Sequence, residues 1–329
     1  MGVCDRNSHG VKAVSRVAIA KNQDRYSTIS SSLQLLQDEI EKEIQGQRIL
    51  IKPNMVNIER ALCATHIDAI RAVLDFVYQY APAEVIIGES SAFQDTRQGF
   101  KNYGYLTLQQ QYPSLTFVDF NRDAYHTIKL LDVDRHEVNT KISQTAMDNW
   151  CRISLAVPKT HETALVTLSM KNMMGCLVGW DKALMHGSPR LHANVRMIDS
   201  VEQAKQPEMY KVFHRNLIRL IKYVPPSLSV IDGFVGMERE GPVNGDAVNL
   251  GVAAASMDYV AADTIMATIM GFDPSDIGYL YYANREGLGV GDLSQINIVG
   301  EKISNIMHAF TPHREKEAAL QWKQSEWYP

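Results

Sequence analysis

The sequence predicts an α/β fold of mostly parallel sheets with flanking helices, arranged as two lobes around a crevice. Three observations carry that prediction. Short runs rich in β-branched residues alternate with longer stretches of helical period, the pattern of strands joined by crossover helices. Of the 329 residues, 45% are apolar and 21% charged, enough apolar mass for a large core. Several of the short runs end in a charge and a turn, as strands do where an open sheet binds its ligand.

Along the chain, residues 14–20 read as the first strand and 33–44 as the first helix, followed by a strand at 49–51. The helix at 67–80 is the clearest: Ile67, Ile70, Val73, Leu74 and Val77 fall at three- and four-residue spacing and form one stripe to bury against a sheet. A strand at 85–87, a helix at 97–110 and a strand at 115–118 follow, within an N-terminal lobe of residues 14–150. The second lobe, 151–300, has strands at 153–157, 228–231 and 296–299 and helices at 209–223, 259–270 and 274–284. Residues 200–207 read as a surface loop. The tail, 301–329, turns charged after His313 and then carries Trp322, Trp327 and Tyr328, which are expected to dock on the body or on a second subunit of a homodimer.

Composition excludes several classes. The balance of 33 Lys and Arg against 37 Asp and Glu leaves a net charge of −4 with no long basic run, so nucleic acid is not an expected partner. Cys4, Cys63, Cys151 and Cys176 are scattered and form no CxxC pair, which gives no zinc knuckle, no iron–sulfur cluster motif and no disulfide framework. The first residues are too polar for a signal peptide, and Arg6 stands where a myristoylation signal needs Ser or Thr. No stretch of eighteen apolar residues occurs; the nearest, 248–256, is short and flanked by Asp246 and Asp258. A cytoplasmic protein with no membrane partner is expected.

The chemistry gathers after the strands. Residues 49–51 run into Lys52-Pro53-Asn54, 85–87 into Gly88-Glu89-Ser90, 153–157 into Pro158-Lys159-Thr160-His161, and 230–231 into Asp232-Gly233. If these strands are neighbours about 4.8 Å apart, Lys52, Glu89, Lys159 and Asp232 converge within reach of one small molecule. Each charge alone also suits a solvated loop; four in succession favour a site. Pro53 biases Lys52 to extended backbone, which places its side chain. Lys159 and His161, two apart, share one face of an extended segment. Lys171 and Asn172 lie among Leu168, Met170, Met173 and Met174, so the Lys171 ammonium needs a partner, either a carboxylate of the protein or an anionic ligand. His186 is a weaker candidate, and His192 weaker still.

Further on, Gly233 opens a loop, 232–245, whose glycines allow backbone to approach a ligand, although its order fits neither GxxxxGK[ST] nor GxGxxG. Asp258 reads as a helix N-cap. Asp263 sits inside a helix among apolar neighbours and must be paired, hydrogen-bonded or metal-bound, or else lie on a polar stripe. The absence of HExxH and GxSxG argues against common protease and esterase mechanisms. Glu89, Asp232 and Asp263 together suit a hard divalent cation such as magnesium.

At these residues the chain resembles the family known as domain of unknown function 362. The resemblance is carried by Ile49 to Asn54, by Gly88-Glu89 with Phe100 and Gly104-Tyr105, and by Val157-Pro158-Lys159-Thr160-His161. Thr167 to Gly175, Asp181-Lys182 with His186, Asp232-Gly233, Gly241-Pro242 with Gly245, Asp263, and Gly271 to Pro274 complete it. It covers roughly residues 14–299. Many members carry a ferredoxin-like iron–sulfur segment and some an export signal; neither is found here, so an electron-transfer role is not expected. The two-lobed layout is also similar to that of the nickel-pincer lactate racemase, an analogy of fold that would imply proton chemistry at carbon.

The leading expectation is an enzyme acting on a small carboxylate- or phosphate-bearing metabolite by Lys/His-assisted proton transfer, as an isomerase, lyase or cyclase. Lys159, His161, Lys171 and His186 are its catalytic candidates, Lys52, Asn54, Asn172 and Gly233 its substrate-binding ones, and Glu89, Asp232 and Asp263 its metal ligands. The alternatives are a non-catalytic cofactor-binding or redox-accessory protein using the same pocket, or a structural protein whose polar residues are buried ion pairs.

Overall fold

The computed structural model describes residues 14–187 and 207–324, apart from Phe93, Pro113 and Asn149. Twelve strands are found among them: β1 (Ser15–Lys21), β2 (Arg48–Pro53), β3 (Glu84–Glu89), β4 (Leu115–Asp119), β5 (Tyr125–Leu131), β6 (Glu137–Ser143), β7 (Cys151–Ala156), β8 (Lys159–His161), β9 (Leu165–Thr167), β10 (Leu228–Glu238), β11 (Asp246–Ser256) and β12 (Ile296–Gly300). Ten of them make one sheet in the order β12-β1-β11-β10-β7-β2-β3-β4, with β8 joining the far half of β10 and β9 joining β8; β5 and β6 form a separate hairpin. Pairing is parallel from β10 through β4 and between β12 and β1, and antiparallel around β11.

All seven expected strands form. The missed ones have physical reasons. The β5–β6 hairpin carries exposed polar residues such as His126, Lys129, Asn139 and Lys141, which interrupt any apolar run, while β11 is built largely from small residues, Ala253 to Ala255. Strand β10 runs on to Glu238, so the expected loop at 232–245 is strand for half its length. The expected helix at 33–44 is two, Arg25–Gln34 and Gln37–Ile44. The first starts early because the Asp24 side chain accepts from Ser27 N at 2.8 Å. Helices Ile67–Tyr78, Pro207–Tyr223 and Tyr259–Ile269 form as expected; the helix predicted at 97–110 is Thr96–Asn102 followed by a 3-10 turn, and that at 274–284 is a 3-10 turn and the helix Gly278–Arg285. Asp258 is the N-cap it resembles, accepting from Val260 N at 2.9 Å and Ala261 N at 3.0 Å.

Side-chain alternation along each strand feeds two cores. Ile49, Ile51, Val85, Ile87, Ile153 and Leu155 face the helices of the N-terminal segment. Leu50, Ile86, Ala156 and Ile231 face the opposite layer, made by helices Pro207–Tyr223, Tyr259–Ile269 and Gly278–Arg285. The two expected lobes share this one sheet: β7 lies between β2 and β10, and β1 lies beside β11 and β12. Backbone hydrogen bonds therefore join residues 14–150 to 151–300, and the crevice opens at the strand ends. Trp322 of the tail is buried against the rings of His214, Tyr281 and Tyr282 and donates from Nε1 to Asp276 O at 2.9 Å. Trp327, Tyr328, His192 and most of the expected loop at 200–207 lie outside the described residues. No helix among the described residues is long and apolar enough to cross a membrane.

Candidate functional site

Strands β2, β3 and β7 are parallel neighbours in register, so their carboxyl ends bring Lys52, Glu89 and the β7–β8 turn together. Lys52 Nζ donates to Glu89 Oε2 at 2.6 Å, to Asn172 Oδ1 at 3.2 Å and to Pro53 O at 2.9 Å. Asn172, from the single helical turn Ser169–Asn172, donates back to Lys52 O and Ser154 Oγ, while its Oδ1 also accepts from Asn54. Lys159 Nζ donates to Asn54 Oδ1 and to Val157 O. These residues form a buried floor in which each polar group has a partner. Gly175 is obligatory above it, because a Cβ there would lie 2.1 Å from Glu89 Oε1 and 2.6 Å from Lys52 Nζ.

Over the floor opens a cavity of about 590 Å³ lined by Lys52, Asn54, Glu89, Asn172, His161, Lys171, Lys182 and His186 among others. Its wall is the β8–β9 hairpin with the following turn. His161 Nδ1 accepts from Thr163 N at 3.0 Å and Ala164 N at 3.3 Å, so its proton resides on Nε2. Glu162 Oε2, 3.4 Å from the same Nδ1, gets no hydrogen bond from it. Phe213 anchors the wall: the His161 ring lies 6.2 Å from it, His186 4.9 Å, and Lys171 Nζ 5.6 Å. Among the described residues Lys171 Nζ has no hydrogen bond or ion pair, and the buried Thr167 Oγ1, also on the cavity lining, has no partner either.

Burial sets the protonation states. It pushes Lys171 down to about 8, with Glu162 pulling the other way, Lys182 down to about 8 and Lys159 down to about 7. Burial, reinforced by Lys171, holds His161 well below its ordinary value and His186 at about 4, so both are neutral near pH 7. Burial raises Glu89, and its neighbour Lys52 opposes that rise. On the cavity lining Lys52 and Lys182 thus both act on the Glu89 carboxylate, and this part of the cavity favours negative charge.

Several expectations are corrected. Glu89, Asp232 and Asp263 do not converge on a metal. Asp232 stays within the sheet, where Arg25 Nε is 3.0 Å from its Oδ2, and Asp263 accepts from Ser169 N at 2.8 Å and Met170 N at 2.9 Å. Asp263 therefore caps the very turn that carries Lys171 and Asn172. Gly233 is buried in β10 opposite Val252, whose O would be 3.0 Å from a Cβ there, and is not on the cavity lining. Lys159 lies behind Asn54 and is also off the lining. Lys52 reaches the cavity but already carries its carboxylate. One carboxylate and histidine group among the described residues brings ligand atoms within 4.8 Å, Asp132, Asp134 and His136 at the β5–β6 turn, away from the cavity.

Other cavity residues were not singled out from sequence. Lys182 Nζ donates to Asn121 Oδ1 at 2.9 Å; Arg314 and His313 of the tail approach Glu240 Oε2 at 3.2 and 3.4 Å and close one side. Only the Asp181-Lys182 pair within the resemblance pointed to any of them.

The fold and site define an open, mostly parallel α/β protein with a lysine-rich cavity at the carboxyl edge of its sheet. Residues 49–268 match the family model Domain of unknown function (DUF362), and the chain belongs to that family. It is 31% identical over 245 residues to a thylakoid-associated protein of Synechocystis sp., covering 74% of this chain and 69% of that protein. Among solved structures it is similar to the lactate racemase apoprotein of Thermoanaerobacterium thermosaccharolyticum, with TM-score 0.45 and 12% identity over 76% of this chain and 55% of that one. A protein from Thermotoga maritima gives TM-score 0.41 and 12% identity over 68% of this chain and 53% of that one. The chain spans about half the length of these two solved structures.

Proposed function

We propose that the cavity binds a small carboxylate- or phosphate-bearing metabolite and that the protein moves a proton on it. The observation that carries this reading is Lys171: an ammonium on the cavity wall that makes no hydrogen bond or ion pair among the described residues, with Glu162 acting on it only at longer range. A group with pKa about 8 holds both protonation states near neutral pH, as a proton carrier must. His161, its Nδ1 committed to two backbone N–H groups, offers a fixed Nε2–H to an oxygen on which charge develops, and so acts as a neutral donor rather than a base. Lys182, whose hydrogen bonds go to Asn121 and a backbone carbonyl rather than to a carboxylate, helps Lys171 draw the anionic group in. His186, held neutral by burial and by Lys171, is a further cavity group that adds no charge near pH 7.

The test needs no foreknowledge of the substrate. A panel of small carboxylic acids and phosphate esters is incubated with the protein in D2O and examined by NMR for deuterium at carbon. Exchange that falls by about 10²–10⁴ in Lys171→Met supports proton transfer. Binding without exchange in the wild type favours the non-catalytic carrier instead, and no binding to any anion overturns the reading.

A further inference from the structure

Resting on that anionic site, we infer that the ligand has a substantial apolar body attached to its acidic group, rather than being a compact polar metabolite. The first reason is volume. A carboxylate displaces on the order of 60 Å³, taking about 30 Å³ for each of two water-sized groups. The cavity holds about 590 Å³, so the acidic group accounts for roughly a tenth of it.

The second reason is what faces the remainder. Met55 after β2, Met174 beside the Lys171 turn, Met209 and Tyr210 at the start of the helix Pro207–Tyr223, and Val243 all line the same space. Three thioethers from three separate segments make a wall that is apolar, polarizable and able to adapt to the shape of a guest. Trp180, also on the lining, leaves 56% of its surface exposed, an uncommon state for so large an apolar side chain. The cationic groups are set in the floor, at Lys171 and, paired with Glu240, at Arg314, whereas these residues offer water few hydrogen-bond partners. A chain or ring laid along them removes apolar surface on both sides from water, while its carboxylate or phosphate reaches Lys171.

The experiment is calorimetric titration of the full chain at pH 7 with straight-chain carboxylates from acetate to decanoate, and with the matching alcohols. Affinity is expected to rise about fourfold per methylene, the ratio that follows from about 0.8 kcal/mol for each buried CH2, until the cavity is filled. The alcohols are expected to bind at least tenfold more weakly than acids of equal length. Met209→Asp and Val243→Asp, tested separately in case one fails to fold, should each flatten the rise. A flat series in which short acids bind, and bind more weakly to Lys171→Met, overturns the apolar body and leaves the anionic site standing. Alcohols binding as well as the acids overturn it in the other direction, by making the acidic group irrelevant. No binding by any acid removes both this inference and the reading beneath it.

Discussion

Replacing Lys171 by methionine is expected to make the protein more stable, the opposite of what removal of half an ion pair does. The ammonium lies over Phe213 without an ion pair or hydrogen bond among the described residues, and burial, only partly opposed by Glu162, lowers its pKa from 10.5 to about 8. At about 1.4 kcal/mol per pH unit, the charged form is then disfavoured in the folded state by roughly 3 kcal/mol. The side chain is partly open to the cavity, so solvent screening reduces the measurable effect to about 1–2 kcal/mol. The folded pKa is the lower one, which fixes the direction: the cost is whole below pH 8 and fades between about pH 8 and 10.5, as the folded lysine loses its proton before the unfolded one. For a chain of 329 residues, an unfolding entropy of about 2.1 cal/mol/K per residue converts this to a Tm gain of about 1.5–3 °C at pH 7. Thermal unfolding followed by circular dichroism at pH 7 and pH 10.5 measures it, with the gain shrinking at the higher pH. A Lys171→Met protein that melts several degrees below wild type at pH 7 refutes the reasoning, because the lysine would then be held by a partner that stabilises it.

Three further outcomes are expected. His214 is fully buried with neither ring nitrogen bonded among the described residues, and burial holds it at about 3, so stability present above pH 6.5 should be lost as pH falls, by about 2–3 kcal/mol at pH 4.5. Urea midpoints against pH for wild type and His214→Phe check this; an equal decline in both assigns the acid sensitivity elsewhere. Gly175→Ala forces a methyl group into the Lys52–Glu89 pair and should cost about 3–5 kcal/mol by separating buried charges, read as a shift in the urea midpoint. Trp322→Ala should cost about 3–5 kcal/mol through the cavity left beside His214 and Tyr282; a change below about 1 kcal/mol would mean that the tail packs loosely.

How far the sequence could be read depended on what kind of information each residue needed. Lys52 and Glu89 were found because a charge at the end of a parallel strand has its place set by the strand itself. The same logic selected Asp232, but side chains alternate along a strand: Ile231 faces one core, and Asp232 faces the other, toward Arg25. Glu89 has the same phase as Asp232, but β3 ends at Glu89 whereas β10 runs on to Glu238, so Asp232 stays within the sheet against Arg25 while Glu89 reaches the cavity. For Asp263 the need for partners was visible, yet the partners, Ser169 N and Met170 N, lie more than ninety positions away. Lys182 and Arg314 look in sequence like any solvated cation, and Thr167 like any strand threonine. Their roles arise only from what folds around them. The short strands β8 and β9, three residues each, fall below the length at which periodicity carries a signal.

The strand order has a bearing on biosynthesis. β1 pairs with β11 and β12, more than two hundred residues downstream, and with no other strand among the described residues. While the ribosome is still delivering the middle of the chain, both rims of β1 remain without their hydrogen-bond mates. Completion of the sheet therefore waits for β11 and β12, and β1 is the strand that stays longest without its partners.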